Sequence, residues 1–394
     1  MGAILNILGV GLIGASLWCV LLQKPQKAMV YAYLFMISDF NLSQYVDYNS
    51  ITKLIMLIIL MFAVFQHGLY RNMDCRQVFL YMFIFIAIIA YFENRNNQYS
   101  FSDFILSLLT ILLGVLALHI KWDDKVRVKF LKLIAWSSIL CVVCGVLKYG
   151  TLITESGRIV SGTELYHSPA WMGLSGMFAS MLLVEAFECE KYNKFIIINF
   201  ILVCLTQMRG GIIFAVILIT PYLINQLKNM SRMKVIVLSI FIPITLLAIN
   251  EVFAIFMERT FVDGTINTSG RFDAWPYFLA LAKEKIWMGH GIGSIKTMTE
   301  TEIYKRGFRA AHNEYIRLLV ETGISGLVCF VFYMSCTVKK LYNNTILQSK
   351  KIYYIAFVIG FIVLSGLDNT ISGHISWIPF CLLLSLASGR KVSE

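Results

Sequence analysis

Residues 195–219 read FIIINFILVCLTQMRGGIIFAVILI, an apolar stretch in which the only charged side chain is Arg209. It is too long for a strand and has the composition of membrane helix. Arg209 interrupts it, and Gly210 and Gly211 permit a tight reversal, so it reads as two helices back to back. A basic side chain between two spans is expensive unless it pairs or lines a wet cavity. Arg209 therefore reads as a site residue, with an arginine snorkelling to the interface as the other reading.

Composition extends this to the whole chain. Of 394 residues, 58% are hydrophobic and 14% charged, against about 25% charged in a soluble domain. The fold class expected is all-α: one polytopic transmembrane bundle over 1–394. The net charge of +11 raises a nucleic-acid partner, but the bases are dispersed through short interhelical loops, where orientation explains them, and none is expected. Apolar runs lie near 4–22, 28–40, 52–70, 77–92, 102–120, 130–149, 168–187, 195–208, 210–227, 234–250, 313–338, 352–367 and 374–389. They predict about 13 spans (12–14), with 28–40 a re-entrant segment or an extension of its neighbour.

Orientation follows from the loops. Those at 23–27, 71–76, 121–129, 188–194, 228–234, 339–351 and 390–391 collect the lysines and arginines, which makes them cytoplasmic. The opposite short loops hold Arg95, Arg158 and Arg209 alone. Bases are disfavoured on that side, so each is a site candidate. The long interval 251–311 falls there too, as one large external or periplasmic loop. Lys24 and Lys27 follow the first apolar run instead of preceding it, which predicts an uncleaved first helix with its N-terminus outside.

Nine cysteines occupy apolar runs or the inner side, and Cys141 and Cys144 read as packing residues although they form a CxxC. His67 and His119 read as interfacial. No HExxH or comparable ligand spacing occurs, so no protein-bound metal is expected. Asp368, near the outer end of the twelfth run, reads as a solvated loop acid, with a cavity-lining role as the alternative.

The outer segments carry the remaining signals. Residues 156–173, SGRIVSGTELYHSPAWMG, run into a helix at Ser168–Pro169 whose positive end points outward and suits a phosphate. Arg158, Tyr166 and His167 lie beside it as candidate substrate-binding residues. Residues 269–293, SGRFDAWPYFLALAKEKIWMGHGIG, hold Phe272, Trp275, Tyr277 and Trp287, with Tyr304 further on. These aromatics read as anchors of an interfacial amphipathic helix over 271–288, or as stacking surfaces for sugar. Residues 310–327, AAHNEYIRLLVETGISGL, open a long helix that Asn313 caps. Along it Glu314, Arg317 and Glu321 form a charge ladder, Gly323 and Gly326 allow close packing, and Tyr315 is a candidate sugar contact.

In order, LTQMRGG, then Gly270, Arg271 and Trp275, then the GHGIG of Gly289–Gly293, then HNEYIRLLVETGISG resemble the signature of the O-antigen ligase and O-antigen polymerase superfamily. The motifs span about 156–330. The sequence departs at Met208, where the family often has Ser, and an odd span count is unusual for it.

The resemblance implies a metal-independent, inverting glycosyltransferase without a cofactor, in a bacterial inner membrane with its site facing the periplasm. Its donor would be glycan on undecaprenyl pyrophosphate, with membrane lipid and a chain-length regulator as further partners. Arg209 and Arg271 carry over onto the motif arginines that hold pyrophosphate, and His312 onto the histidine that activates the acceptor hydroxyl. The chemistry agrees, since guanidinium forks stabilise a departing pyrophosphate without a metal, and an imidazole transfers protons near neutrality. The expected activity is polymerisation onto a lipid-linked repeat unit, with ligation to a lipid A core sugar as the alternative. A transporter of the same lipid is the reading from another class, but no internal repeat supports it.

Overall fold

The computed structural model describes residues 2–67, 75–95, 100–163, 167–228, 261–262, 265–266, 271–298, 310–347 and 350–389. The apolar run at 234–250, Tyr166, Gly270 and Tyr304 lie outside them.

The described residues form fourteen α-helices: α1 (Gly2–Leu21), α2 (Pro25–Ile37), α3 (Tyr48–His67), α4 (Cys75–Asn94), α5 (Phe101–Ala117), α6 (Asp124–Tyr149), α7 (Ser168–Phe187), α8 (Asn193–Leu205), α9 (Arg209–Lys228), α10 (Arg271–Glu284), α11 (Ser294–Met298), α12 (Glu314–Asn343), α13 (Lys351–Ser365) and α14 (His374–Leu386). Two-residue strands, Phe261–Val262 and Thr265–Ile266, pair antiparallel. Local chemistry sets the helix ends. Ser100 caps α5, accepting the Asp103 amide at 3.1 Å and donating to its carboxylate at 2.6 Å. Gly150, at φ 73°, ends α6.

Among the described residues six helices, α1, α4, α6, α7, α9 and α12, are long and apolar enough to cross a membrane. Their outer faces support that reading: Ile7, Trp18, Leu21, Phe85 and Phe332 are each more than half exposed. Water penalises such a surface, and bilayer hydrocarbon accommodates it. The all-helical reading holds, but the expected count of about thirteen spans is not reached by length among the described residues, where several apolar runs fold as shorter helices. The run at 28–40 forms α2, thirteen residues with Ala28, Ala32, Tyr33 and Met36 buried. It is a core helix packed on α1, α3 and α6.

At the centre, α7 is buried along most of its length. A Cβ on Gly176 would meet the Asn199 side chain at 2.6 Å, so the glycine lets α8 approach. Asn199 donates to the Ala135 carbonyl at 3.0 Å and the Phe195 carbonyl at 2.8 Å and accepts from Ser138, so this buried amide ties α6 to α8. Cys141 and Cys144 pack against Gly162, whose added Cβ would touch Cys141 O and Cys144 Cβ.

The described part of the 251–311 loop is built onto the bundle. On α10, Ala274, Phe278 and Ala282 recur at helical spacing and bury against Ile316 and Val320 of α12. Phe272 and Trp287 stay exposed, whereas the Trp275 indole N–H donates to Ala311 O at 2.9 Å and is committed to structure. The glycine motifs then meet each other. α12 breaks at Gly323, whose φ of 63° and ψ of −174° are not helical. The turn from Ile286 to Gly291 enters the gap. His290 N and Gly291 N donate to Val320 O and Glu321 O, and Ile324 N donates to Ile286 O, all at 2.8 Å. A broken membrane helix must satisfy its freed backbone groups within protein, and GHGIG does so for ETGISG. Gly323 therefore serves the break and not the close packing expected of it; a side chain there would strike Trp287 O.

Candidate functional site

Arg209 is the first residue of α9. The reversal before it is made by Gln207, at φ 54°, and not by the glycine pair. Gly210 lies inside α9, where an added Cβ would meet Leu364 Cδ1 at 2.5 Å, so its role is to press the start of α9 onto the end of α13. Arg158 reaches the same place on a loop strapped to that reversal: Gln207 Nε2 donates to Gly157 O at 3.0 Å, and Ile159 N to Leu205 O at 3.3 Å. Arg271 opens α10 and donates from Nη1 to Leu367 O, just past the end of α13. Three arginines that are distant in sequence thus converge. Arg209 is near enough to both Arg271 and Arg158 to feel their charges.

His312 sits in the left-handed region, at φ 46°, immediately before the α12 cap. Asn313 accepts the amides of Tyr315 at 3.0 Å and Ile316 at 3.1 Å, as its sequence position predicts. This geometry turns the imidazole off the helix toward the segment after α13. There its Nδ1 meets Asp368 Oδ1 at 3.2 Å, with the histidine side chain 40% exposed and the aspartate 17%. Asp368 is therefore not a solvated loop acid. Burial raises its pKa, but the His312 hydrogen bond, the Arg271 charge and the Asn369 amide outweigh it and leave the carboxyl below its ordinary range. Paired as an acceptor, Asp368 fixes the tautomer with the proton on Nδ1, which leaves Nε2 for a substrate.

The aspartate is held in turn. Ser372 donates from its amide at 2.9 Å and its hydroxyl at 2.7 Å to Glu314 Oε1, anchoring the 366–373 segment to the first turn of α12. Glu314 Oε2 meets Arg317 Nε at 2.5 Å, and Arg317 Nη1 bonds Glu321, so the charge ladder forms and is buried.

His167 precedes α7 and is half buried. Burial lowers its pKa to about 4; Asp368 opposes the shift, and the charges of Arg158, Arg271 and His312 reinforce it. The residue stands in the field of the whole cluster. Tyr315 turns away from it: its hydroxyl donates to Ile362 O at 2.8 Å, and its ring heads an apolar groove of about 450 Å³ between α12, α13 and α14, floored by Leu318, Phe330, Phe361 and Trp377. Among the described residues no group of three or more His, Cys, Asp or Glu side chains is placed to hold a metal.

Residues 195–331 match the family model described as O-antigen ligase (Wzy_C). The chain is thus similar to the O-antigen ligase family over that stretch, about a third of its length. The match runs from α8 to the middle of α12 and contains Arg209, Arg271 and His312; Arg158, His167 and Asp368 reach the site from outside it. The fold agrees with that similarity in kind, since its helices include six that are long and apolar enough to cross a membrane among the described residues. No curated protein matches the chain. Sequence reasoning placed Arg209, Arg271 and His312 among the candidates but undervalued Asp368. Its signal was LDNTISGH at 367–374, a polar strip between two apolar helices on the side where the other candidates fall.

Proposed function

We propose that the protein is a polysaccharide polymerase of the bacterial inner membrane, moving a glycan from undecaprenyl pyrophosphate to a hydroxyl of another lipid-linked repeat unit on the periplasmic side. The observation that carries this reading is the convergence of Arg158, Arg209 and Arg271 beside a His312–Asp368 pair. Like charges gathered in partly buried surroundings favour an anionic ligand. The apolar groove headed by Tyr315, three residues from His312 in sequence, has a lining suited to a lipid tail.

The reaction follows from these parts. The acceptor oxygen attacks the anomeric carbon while its proton passes to His312 Nε2. The bond from that carbon to the pyrophosphate oxygen breaks, and undecaprenyl pyrophosphate leaves with its new charge on the guanidinium forks of Arg209 and Arg271. Attack opposite the leaving group inverts the anomeric centre. Asp368 orients the imidazole and stabilises its cation. No step needs a metal, so turnover is expected to survive chelation.

The description of the matched family favours ligation to a lipid A core sugar as the second reading. Deleting the gene separates the two. Under polymerisation, single repeat units still reach the cell-surface acceptor and the long ladder disappears; under ligation, no unit is attached and lipid-linked polymer accumulates.

A further inference from the structure

A second cavity, of about 240 Å³, opens between the first turn of α7 and the segment after α13, lined by His167, Trp171, Asp368, Asn369, Ser372 and Ser376 among others. Its walls combine one indole face with hydroxyl, amide and carboxylate groups, the composition that recognises a sugar ring with its apolar face and its rim of hydroxyls. Part of that wall is fixed. Ser372 is tied to Glu314, and Ser376 Oγ donates to the Gly373 carbonyl at 2.8 Å and also bonds Thr370 O.

The acceptors left over lie on the wall shared with the catalytic pair. Asp368 Oδ1 takes His312 and the Asn369 amide at 2.8 Å, while Oδ2 has no partner among the described residues. The Asn369 side chain makes one long contact, Nδ2 to His312 Nδ1 at 3.5 Å, and its Oδ1 is likewise unengaged there. A carboxylate wall repels phosphate and accepts hydroxyls, so the cavity is complementary to a neutral polyol. The volume admits about one monosaccharide, being below the range of about 300–1,000 Å³ usual for larger ligands.

We propose that this cavity is the subsite for the terminal sugar of the acceptor. Trp171 is its stacking platform, and Asp368 Oδ2 and Asn369 Oδ1 receive its hydroxyls. The proposal rests on the glycan-transfer reading and divides the site into two halves: phosphates on the arginine side, acceptor sugar on the Trp171 side, with His312 between them.

The test uses the full-length protein in lipid nanodiscs with two separate substrates. One is the undecaprenyl-pyrophosphate-linked repeat unit as donor; the other is a repeat-unit oligosaccharide on a phosphate-free alkyl chain as acceptor. In Trp171→Ala the acceptor KM rises about tenfold, the size of a lost aromatic contact, while the donor KM holds; Trp171→Phe recovers most of the loss, and Asn369→Leu raises the acceptor KM as well. An unchanged acceptor KM in Trp171→Ala and Asn369→Leu, or a rise confined to the donor KM, overturns the assignment. Binding of the phosphate-free oligosaccharide without donor separates this proposal from the one beneath it. Trp171-dependent binding by a protein that transfers nothing leaves the subsite standing and removes the transferase. Normal transfer with Trp171-independent binding does the reverse.

Discussion

Two charge clusters lie side by side at the start of α12, and they are built on opposite rules. Arg317 is buried between Glu314 and Glu321, each carboxylate bonded to the guanidinium, with Glu314 bonded also to Ser372. Arg158, Arg209 and Arg271 instead come near one another from three different elements, half buried, close to Asp368, which is paired with His312. The first, closed cluster pairs opposite charges along one helix, a structural arrangement in protein interior. The second, open cluster gathers like charges from separate elements in partly buried surroundings, an arrangement that favours an anionic ligand. In an apolar protein both look alike in sequence, as rare charges near helix ends, and what separates them is whether opposite charges pair along one helix or like charges meet from several elements.

Removing the central charge of the closed cluster breaks that contrast most severely. Arg317→Ala leaves two carboxylates in protein interior, a loss of about 3–5 kcal/mol for a broken buried pair. Thermal melting in nanodiscs is expected to show a large fall in Tm, and a Tm near wild type contradicts the structural role. The open cluster responds in the other sense. Arg209→Ala relieves repulsion, so its Tm is expected to equal or exceed wild type while transfer is lost. A destabilised but active Arg209→Ala protein would reverse the assignment of the two clusters.

Next in size is the acid–base pair. His312→Ala is expected to reduce turnover by about 10²–10⁴ with donor affinity nearly intact, as measured by single-turnover transfer from radiolabelled lipid-linked glycan. Near-normal turnover removes His312 from the chemistry.

Much of this was legible in the sequence, for identifiable reasons. Hydrophobic runs gave the helices because apolar length is nearly sufficient for membrane helix, and Asn313 was legible as a cap because its pattern is local. Arg209 stood out against the apolar stretch around it. What escaped depends on distance. Gly289–Gly293 and Gly323 are thirty or more residues apart, and nothing local says that one supplies the backbone partners of the other. Asp368 lies fifty-six residues from His312 and reads as a loop acid until the left-handed turn at His312 aims the imidazole at it. Gly210 and Gly211 suggested a reversal; Gln207 makes it, and the contact with Leu364 that explains Gly210 is tertiary.

A smaller effect comes from the edge of the open cluster. In the folded protein the His167 imidazole is held neutral, its pKa lowered by burial from 6.5 to about 4. The unfolded chain takes up a proton near pH 6.5, so this group's contribution to stability is whole above that pH and is lost as pH falls toward about 4. His167→Gln is expected to lose less Tm than wild type between pH 6.5 and 4, and parallel Tm curves for the two proteins contradict it.

The central claim is that the converging arginines hold pyrophosphate as planar forks. Titrating undecaprenyl pyrophosphate into wild type, Arg209→Lys, Arg271→Lys and His312→Ala tests it most directly. Lysine keeps the charge but offers a compact ammonium in place of a bidentate fork. Donor affinity is expected to fall at least about tenfold in both lysine variants and to stay nearly unchanged in His312→Ala. Wild-type affinity in both Arg209→Lys and Arg271→Lys would contradict it.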